Sequence, residues 1–275
     1  MEELDTKKYA GIDLGKTSVQ FSIYREGQEE MSEESFPIAK EQQEAYIETG
    51  IHLVEEYMKE KEYQWSDYQA VHFSMQDPSE ENRDKLKESV SEEFLKFHTV
   101  KVITHFRAFA EYVFHQERIM WDRNTLLLDY HDNQLSYVLI DQIRRSRQKA
   151  YRAVEKQIDL NEYRVVEGTP EQDANFGQMV KRFLVKNPAN IIFLTGSGFE
   201  GNWMKKTLTY LCAGRRVFLG QNLYANGACL LGIHLMKPNG DVRLVFHDHR
   251  GKLVVCYLDA VPVGNRHIGA IHTLK

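Results

Sequence analysis

Apolar positions recur every three to four residues between Lys40 and Lys61. Ile47, Ile51, Val54 and Met58 make one stripe there, the signature of an amphipathic helix, with Gly50 as an internal weak point. Before it the period is two or the run is continuous. KYAGID and SVQFSIY flank a short polar turn, and EEMSEESFPI reads as a third strand. After it come AVHFSM, a strand over Ala70 to Met75, and a charged helical stretch that opens at Asp77-Pro78 and runs to Phe97. A strand over Val100 to His105 and a helix, RAFAEYVFHQ, complete the set.

The order then begins again. NTLLLDY, QLSYVLI and KAYRAVEKQ are strands, and EQDANFGQMVKRFLV is a helix with Phe176, Val180 and Leu184 on one face. NIIFLTG is a strand with a Gly-rich end, GNWMKKTLTYLCA a helix, RRVFLG a strand and LYANGACLLGIHLM a last helix. Each half reads strand, strand, strand, helix, strand, helix, strand, helix, an internal repeat of structure without obvious identity of sequence. The pattern predicts an α/β protein of two related βββαβαβα domains, over 1–120 and 121–237. Residues 238–275 form a β-hairpin extension belonging to neither half: DVRLVFHD, a turn at His249-Arg250-Gly251, and KLVVCYLDAVPV.

Composition narrows the function classes. A hydrophobic share of 42% suits a packed core, and a formal charge of −5 offers no general attraction to nucleic acid or anionic membrane. The apolar runs are too short to span a bilayer, and MEELDTKK is no secretory signal. Cys212, Cys229 and Cys256 form neither a disulfide framework nor a zinc pattern, so a cytoplasmic setting is the simplest expectation.

The chemistry concentrates at two hairpins, GIDLGKTSVQFSIY and LLLDYHDNQLSYVLI. Each is an apolar strand ending in Asp, a polar turn and a second strand. A carboxylate with several backbone N–H groups at such a corner can hold a phosphate and its metal ion. An ordinary hairpin with a polar turn is the plain alternative. His247 and His249, two apart on a strand, could share a metal, but no Cys or His cluster accompanies them and a hairpin face is favoured. Ser197 between glycines lacks the G-x-S-x-G spacing of a nucleophile elbow, so a catalytic serine is not expected.

The element order and the Asp-ended hairpins resemble the actin, sugar-kinase and heat-shock-chaperone ATPase superfamily, over about Tyr9 to Met236. The resemblance implies an actin-like ATPase (ribonuclease H-like) fold with a nucleotide cleft between its domains. It implies that Asp13 orients magnesium through water, that Gly15 lets the backbone approach phosphate, and that the amides of Lys16 and Thr17 hold its oxygens. Asp129 takes the second metal-facing position. There His131 and Asp132 stand where the family has glycines, so this corner either grips phosphate through a metal or no longer grips it. Gly196, Ser197 and Gly198 match the adenosine motif, and Asn82-Arg83 takes the place of a family Gln-Arg or Glu-Arg pair. His105 and Phe106 replace a Glu-Pro whose Glu lies near the attacking water.

The resemblance and its departures together imply a divergent actin-like protein that binds ATP or ADP with Mg2+ and hydrolyses it weakly or not at all. The alternative is a non-catalytic scaffold, a pseudo-ATPase of a bacterial complex. Expected partners are nucleotide and either another protein or a second copy, with no nucleic acid and no membrane span. A bulky Val at position 196 is expected to block nucleotide with little loss of fold.

Overall fold

Two mixed sheets, each begun by an antiparallel hairpin, organise the chain. The computed structural model describes residues 6–28, 30–121, 123–131, 133–143, 150–236, 242–247, 253–258 and 271–273. Two units divide them, one of 1–116, 222–239 and 261–269, the other of 117–221, 240–260 and 270–275.

In the first unit β1 (Lys8–Leu14) pairs antiparallel with β2 (Ser18–Arg25), which pairs antiparallel with β3 (Ser32–Pro37). On its other side β1 runs parallel to β4 (Tyr68–Met75), and β4 to β5 (Val102–Thr104), giving the order β3-β2-β1-β4-β5. The period of two divides the side chains. Ala10, Ile12 and Leu14 of β1 and Val71, Phe73 and Met75 of β4 enter one core with α1 (Tyr46–Glu60), whose buried stripe is the expected Ile47, Ile51, Val54 and Met58. The alternate positions, including Gly11 and Asp13, face the other way.

The charged stretch after Pro78 is two helices, α2 (Glu80–Ser89) and α3 (Glu92–Phe97). Ser79 and Ser91 each cap one by accepting the backbone N–H three residues on, so the chain breaks at Val90 and restarts. Asn82 Nδ2 and Arg83 Nε donate to the carbonyls of Asp77 and Pro78, which binds that pair to its own loop. Next, α4 (His105–Phe114) begins at His105, where the sequence pattern continues the strand, because Thr104 Oγ1 accepts from the Arg107 amide and caps the helix.

The second unit repeats the plan. β6 (Thr125–His131), β7 (Gln134–Gln142) and β8 (Ala150–Ile158) are antiparallel neighbours. After α5 (Gln172–Lys186) comes β9 (Ile191–Thr195), parallel to β6. α6 (Lys205–Cys212), shorter than expected, leads to β10 (Arg216–Gly220), parallel to β9. Strands β8-β7-β6-β9-β10 thus reproduce the first sheet. The α5 residues Phe176, Met179, Val180 and Leu184 pack with Leu126, Leu128 and Tyr130 of β6 in a second core.

Two placements differ from a linear division of the chain. The last helix, α7 (Leu223–Met236), packs on β1, β4 and α4 of the first unit. A Cβ on Gly227 would lie 1.8 Å from the Ala108 carbonyl oxygen, so the α4–α7 crossing excludes any side chain there. The expected terminal hairpin is present as β11 (Val242–His247) and β12 (Leu253–Leu258), but it belongs to the second sheet. β11 runs parallel to β8 and β13 (Ile271–Thr273) pairs with β10, giving the order β12-β11-β8-β7-β6-β9-β10-β13. The turn at 249–251 lies outside the described residues.

Candidate functional site

Asp13 is the next-to-last residue of β1, on the face that α7 covers, and it is buried. Ser74, its register partner on β4, donates its hydroxyl to Asp13 Oδ1 at 2.8 Å. His105, the first residue of α4, places Nε2 2.8 Å from the same oxygen. The ring of His105 stacks on Tyr224 of α7, with centroids 3.9 Å apart and planes 7° from parallel. Three elements therefore fix one carboxylate, and its partner side chain is only 14% exposed. In the sequence His105 marks only the loss of a glutamate. The structure makes it the direct partner of Asp13, a contact across 92 residues that no local pattern announces.

The β1–β2 turn closes through the Gly15 amide donating to the Ser18 carbonyl at 3.1 Å. The amides of Lys16 and Thr17 at its tip donate to no group among the described residues, while the Thr17 carbonyl accepts from Ile38. Tyr46, at the start of α1, lies in the field of this corner. Burial raises its phenol pKa, and the charges of Asp77 and then Asp13 push it further the same way.

The second unit carries a parallel arrangement with a different origin. Asp129 of β6 faces Ser136 on β7 and Thr195 on β9 in register. Its imidazole comes from its own strand: His131, two residues on and so on the same face, sets Nε2 3.0 Å from Asp129 Oδ1. The other ring nitrogen, Nδ1, lies 3.4 Å from the Ser197 amide and 3.5 Å from Ser197 Oγ. The period-two spacing of the pair is the sequence signal that could have found it. At 44% exposure the His131 side chain is more open than His105. Asp132 lies outside the described residues.

Gly196 follows β9 at φ +106°, and a Cβ there would stand 2.2 Å from the Tyr130 carbonyl oxygen. On Gly198 it would stand 2.4 Å from the Tyr130 ring. Both glycines are thus demanded by the chain's own packing on Tyr130. This corrects the expectation that a valine at 196 would leave the fold intact. The strand does not run straight into a helix either. A 3-10 turn over Ser197–Phe199 intervenes, with Trp203 Nε1 donating to the Gly198 carbonyl at 3.0 Å. The N-terminus of α6 is already filled. The Lys206 and Thr207 amides donate to Asp173 of α5 at 2.8 and 2.9 Å. Burial alone would raise the Asp173 pKa, but the hydrogen bonds from Thr207 and from those amides outweigh it and hold it below its ordinary value.

Among the described residues no group of three or more His, Cys, Asp and Glu side chains gathers to hold a metal ion, and no helix is long and apolar enough to cross a membrane.

A family model described as "Family of unknown function (DUF5716) C-terminal" matches residues 23–249. No curated protein matches the chain. Among solved structures, the activator of the 2-hydroxyisocaproyl-CoA dehydratase from Clostridium difficile, with bound ADPNP, is similar at a TM-score of 0.53 and 10% identity, over 84% of this chain and 96% of that one. Component A of the Acidaminococcus fermentans (R)-2-hydroxyglutaryl-CoA dehydratase is similar at 0.48 and 11%, over 82% and 97%. The ROK hexokinase from Thermus thermophilus is similar at 0.46 and 13%, over 84% and 99%. The likeness at 0.53 is one of fold, and with the strand order of the two sheets it gives the chain the actin-like ATPase fold.

Proposed function

The chain belongs to this family of unknown function, and we propose that it is a nucleotide-binding protein with weak or no hydrolysis. The observation that carries the reading is the corner at the end of β1. There a buried carboxylate, Asp13, stands beside a turn whose Lys16 and Thr17 amides make no bond to the described chain. Such a pairing suits a phosphate with a cation. On this reading Gly15, Lys16 and Thr17 meet phosphate, Asp13 and Asp129 face the cation, and Gly196, Ser197 and Gly198 meet the adenosine of ATP or ADP.

Magnesium itself fits the Asp13 corner poorly. It favours an octahedron of oxygens with much of its water retained, whereas here an imidazole nitrogen sits on the carboxylate oxygen. Weak turnover follows from the same contact. A group near the attacking water must accept or orient its proton, and the Nε2 of His105 is engaged with Asp13.

A second reading, a non-catalytic scaffold acting through a protein partner or a second copy in the cytoplasm, draws support from the two carboxylates' own imidazole partners. Thermal stability with ATP, ADP or GTP, each with and without a divalent cation, separates the two. A ligand at about a hundred times its dissociation constant adds roughly 2.7 kcal/mol. Stabilisation by an adenine nucleotide supports the first reading, and no shift with any nucleotide supports the scaffold.

A further inference from the structure

We infer that Asp13 and His105 form a half-site for a first-row transition-metal dication of the manganese, cobalt and zinc class, chosen over magnesium. The inference rests on the cation position of the proposed function, not on the nucleotide. A carboxylate oxygen and an imidazole nitrogen are a mixed O/N donor pair, which suits these metals, whereas magnesium selects oxygen alone. The spacing suits them as well. Metal–ligand bonds of about 2.1 Å put neighbouring donors about 3.0 Å apart in an octahedron and about 3.4 Å apart in the tetrahedron zinc favours, and Asp13 Oδ1 and His105 Nε2 stand at 2.8 Å. An ion enters with a few tenths of an ångström of opening.

The supports that hold metal ligands in place are present before any ion arrives. Ser74 Oγ donates to the carboxylate oxygen at 2.8 Å, and the imidazole plane is set by stacking on Tyr224 at 3.9 Å. Binding leaves the imidazole neutral, with its one N–H on Nδ1 and the Nε2 lone pair on the metal. Among the described residues no third His, Cys, Asp or Glu side chain joins the pair, so the remaining positions are left to water or to phosphate oxygens.

The test is a titration of Mn2+ into the nucleotide-free full chain carrying His131→Gln, so that the imidazole of the second unit cannot supply nitrogen. Free Mn2+ is followed by electron paramagnetic resonance, and the bound ion by spin-echo modulation from directly coordinated nitrogen. The inference expects nitrogen modulation, binding that survives a roughly tenfold excess of Mg2+, and a loss of about tenfold or more in Mn2+ affinity on His105→Gln. Bound Mn2+ without nitrogen modulation overturns it, and that reading needs no further variant. So does equal competition by Mg2+, or an affinity unchanged by H105Q in a chain whose circular dichroism matches the parent. Because no nucleotide is present, failure here leaves nucleotide binding standing, and a missing nucleotide shift leaves this site standing.

Discussion

Gly196 crosses Tyr130 so closely that a Cβ on it would lie 2.2 Å from the Tyr130 carbonyl oxygen, with Gly196 at φ +106°. The contact joins the end of β9 to β6 and sets where Ser197 meets His131. Gly196→Ala is therefore a folding variant before it is a binding variant. Left-handed strain costs about 1–3 kcal/mol and displacement of the β6 backbone adds to it. Urea unfolding should show a loss of at least about 2 kcal/mol. A midpoint equal to that of the parent would show that this crossing can relax.

His72 predicts an acid limb in the stability profile. It is 1% exposed on β4, and burial, followed by the charges of Lys101 and His98, lowers its pKa from 6.5 to about 4. The unfolded chain therefore takes up a proton that the folded chain refuses. The stability is complete above pH 6.5 and is lost as pH falls from there toward 4, by roughly 3 kcal/mol in all. His72→Leu should flatten that part of the profile in chemical unfolding measured at stepped pH. If the slope between pH 6.5 and 4 is the same in both proteins, His72 is not its source.

Asp173 gives the opposite kind of variant, one that loosens a single junction. Its carboxylate caps α6 through two amides and also accepts from Thr207 Oγ1 at 2.6 Å. Asp173→Ala should cost about 1 kcal/mol, in the range of other N-cap deletions. Hydrogen exchange should quicken first at the amides of Lys206 and Thr207. Uniform quickening across the second sheet instead would mean that the cap supports more than α6.

The strands, the α1 stripe and the repeat are legible in the sequence because period and burial coincide in them. The destination of α7 is not. Ala225, Ala228, Cys229, Leu230 and Leu231 leave the helix apolar around most of its circumference, so no face marks the sheet it joins. The Gly-Ser-Gly run is visible but its cause is not, since Tyr130 lies 66 residues before Gly196 in the chain. The break at Ser91 is readable in principle, as a capping serine followed by two glutamates, but continuous charge patterning conceals it. Of the candidate site, motif alone finds the carboxylates. Their histidines divide in the same way: His131 shares a strand face with Asp129, and His105 arrives from a distant helix.

Hydrolysis is where the Asp13 corner should fall short. Phosphoryl transfer needs the transferred group held in line, with its charge met by donors and metal, and a water oriented for attack. His105 stands where the resemblance calls for a carboxylate, and its Nε2 is 2.8 Å from Asp13 Oδ1, so the two side chains satisfy each other. In the second unit His131 lies between Asp129 and Ser197, at a position where a glycine would let phosphate approach the backbone. Phosphate release by the purified protein with ATP, in Mg2+ and separately in Mn2+, should stay far below about 1 per second, the lower end of ordinary enzyme turnover. His105→Glu puts a carboxylate where the resemblance calls for one while placing a second negative charge beside Asp13, a repulsion of about 4 kcal/mol at 4 Å and an effective dielectric near 20. That variant should therefore gain measurable turnover only when a divalent cation is present to offset the two charges. Turnover of about 1 per second or faster by the unaltered chain, abolished by Asp13→Ala, would show instead that the Asp13–His105 pair is a competent catalytic arrangement.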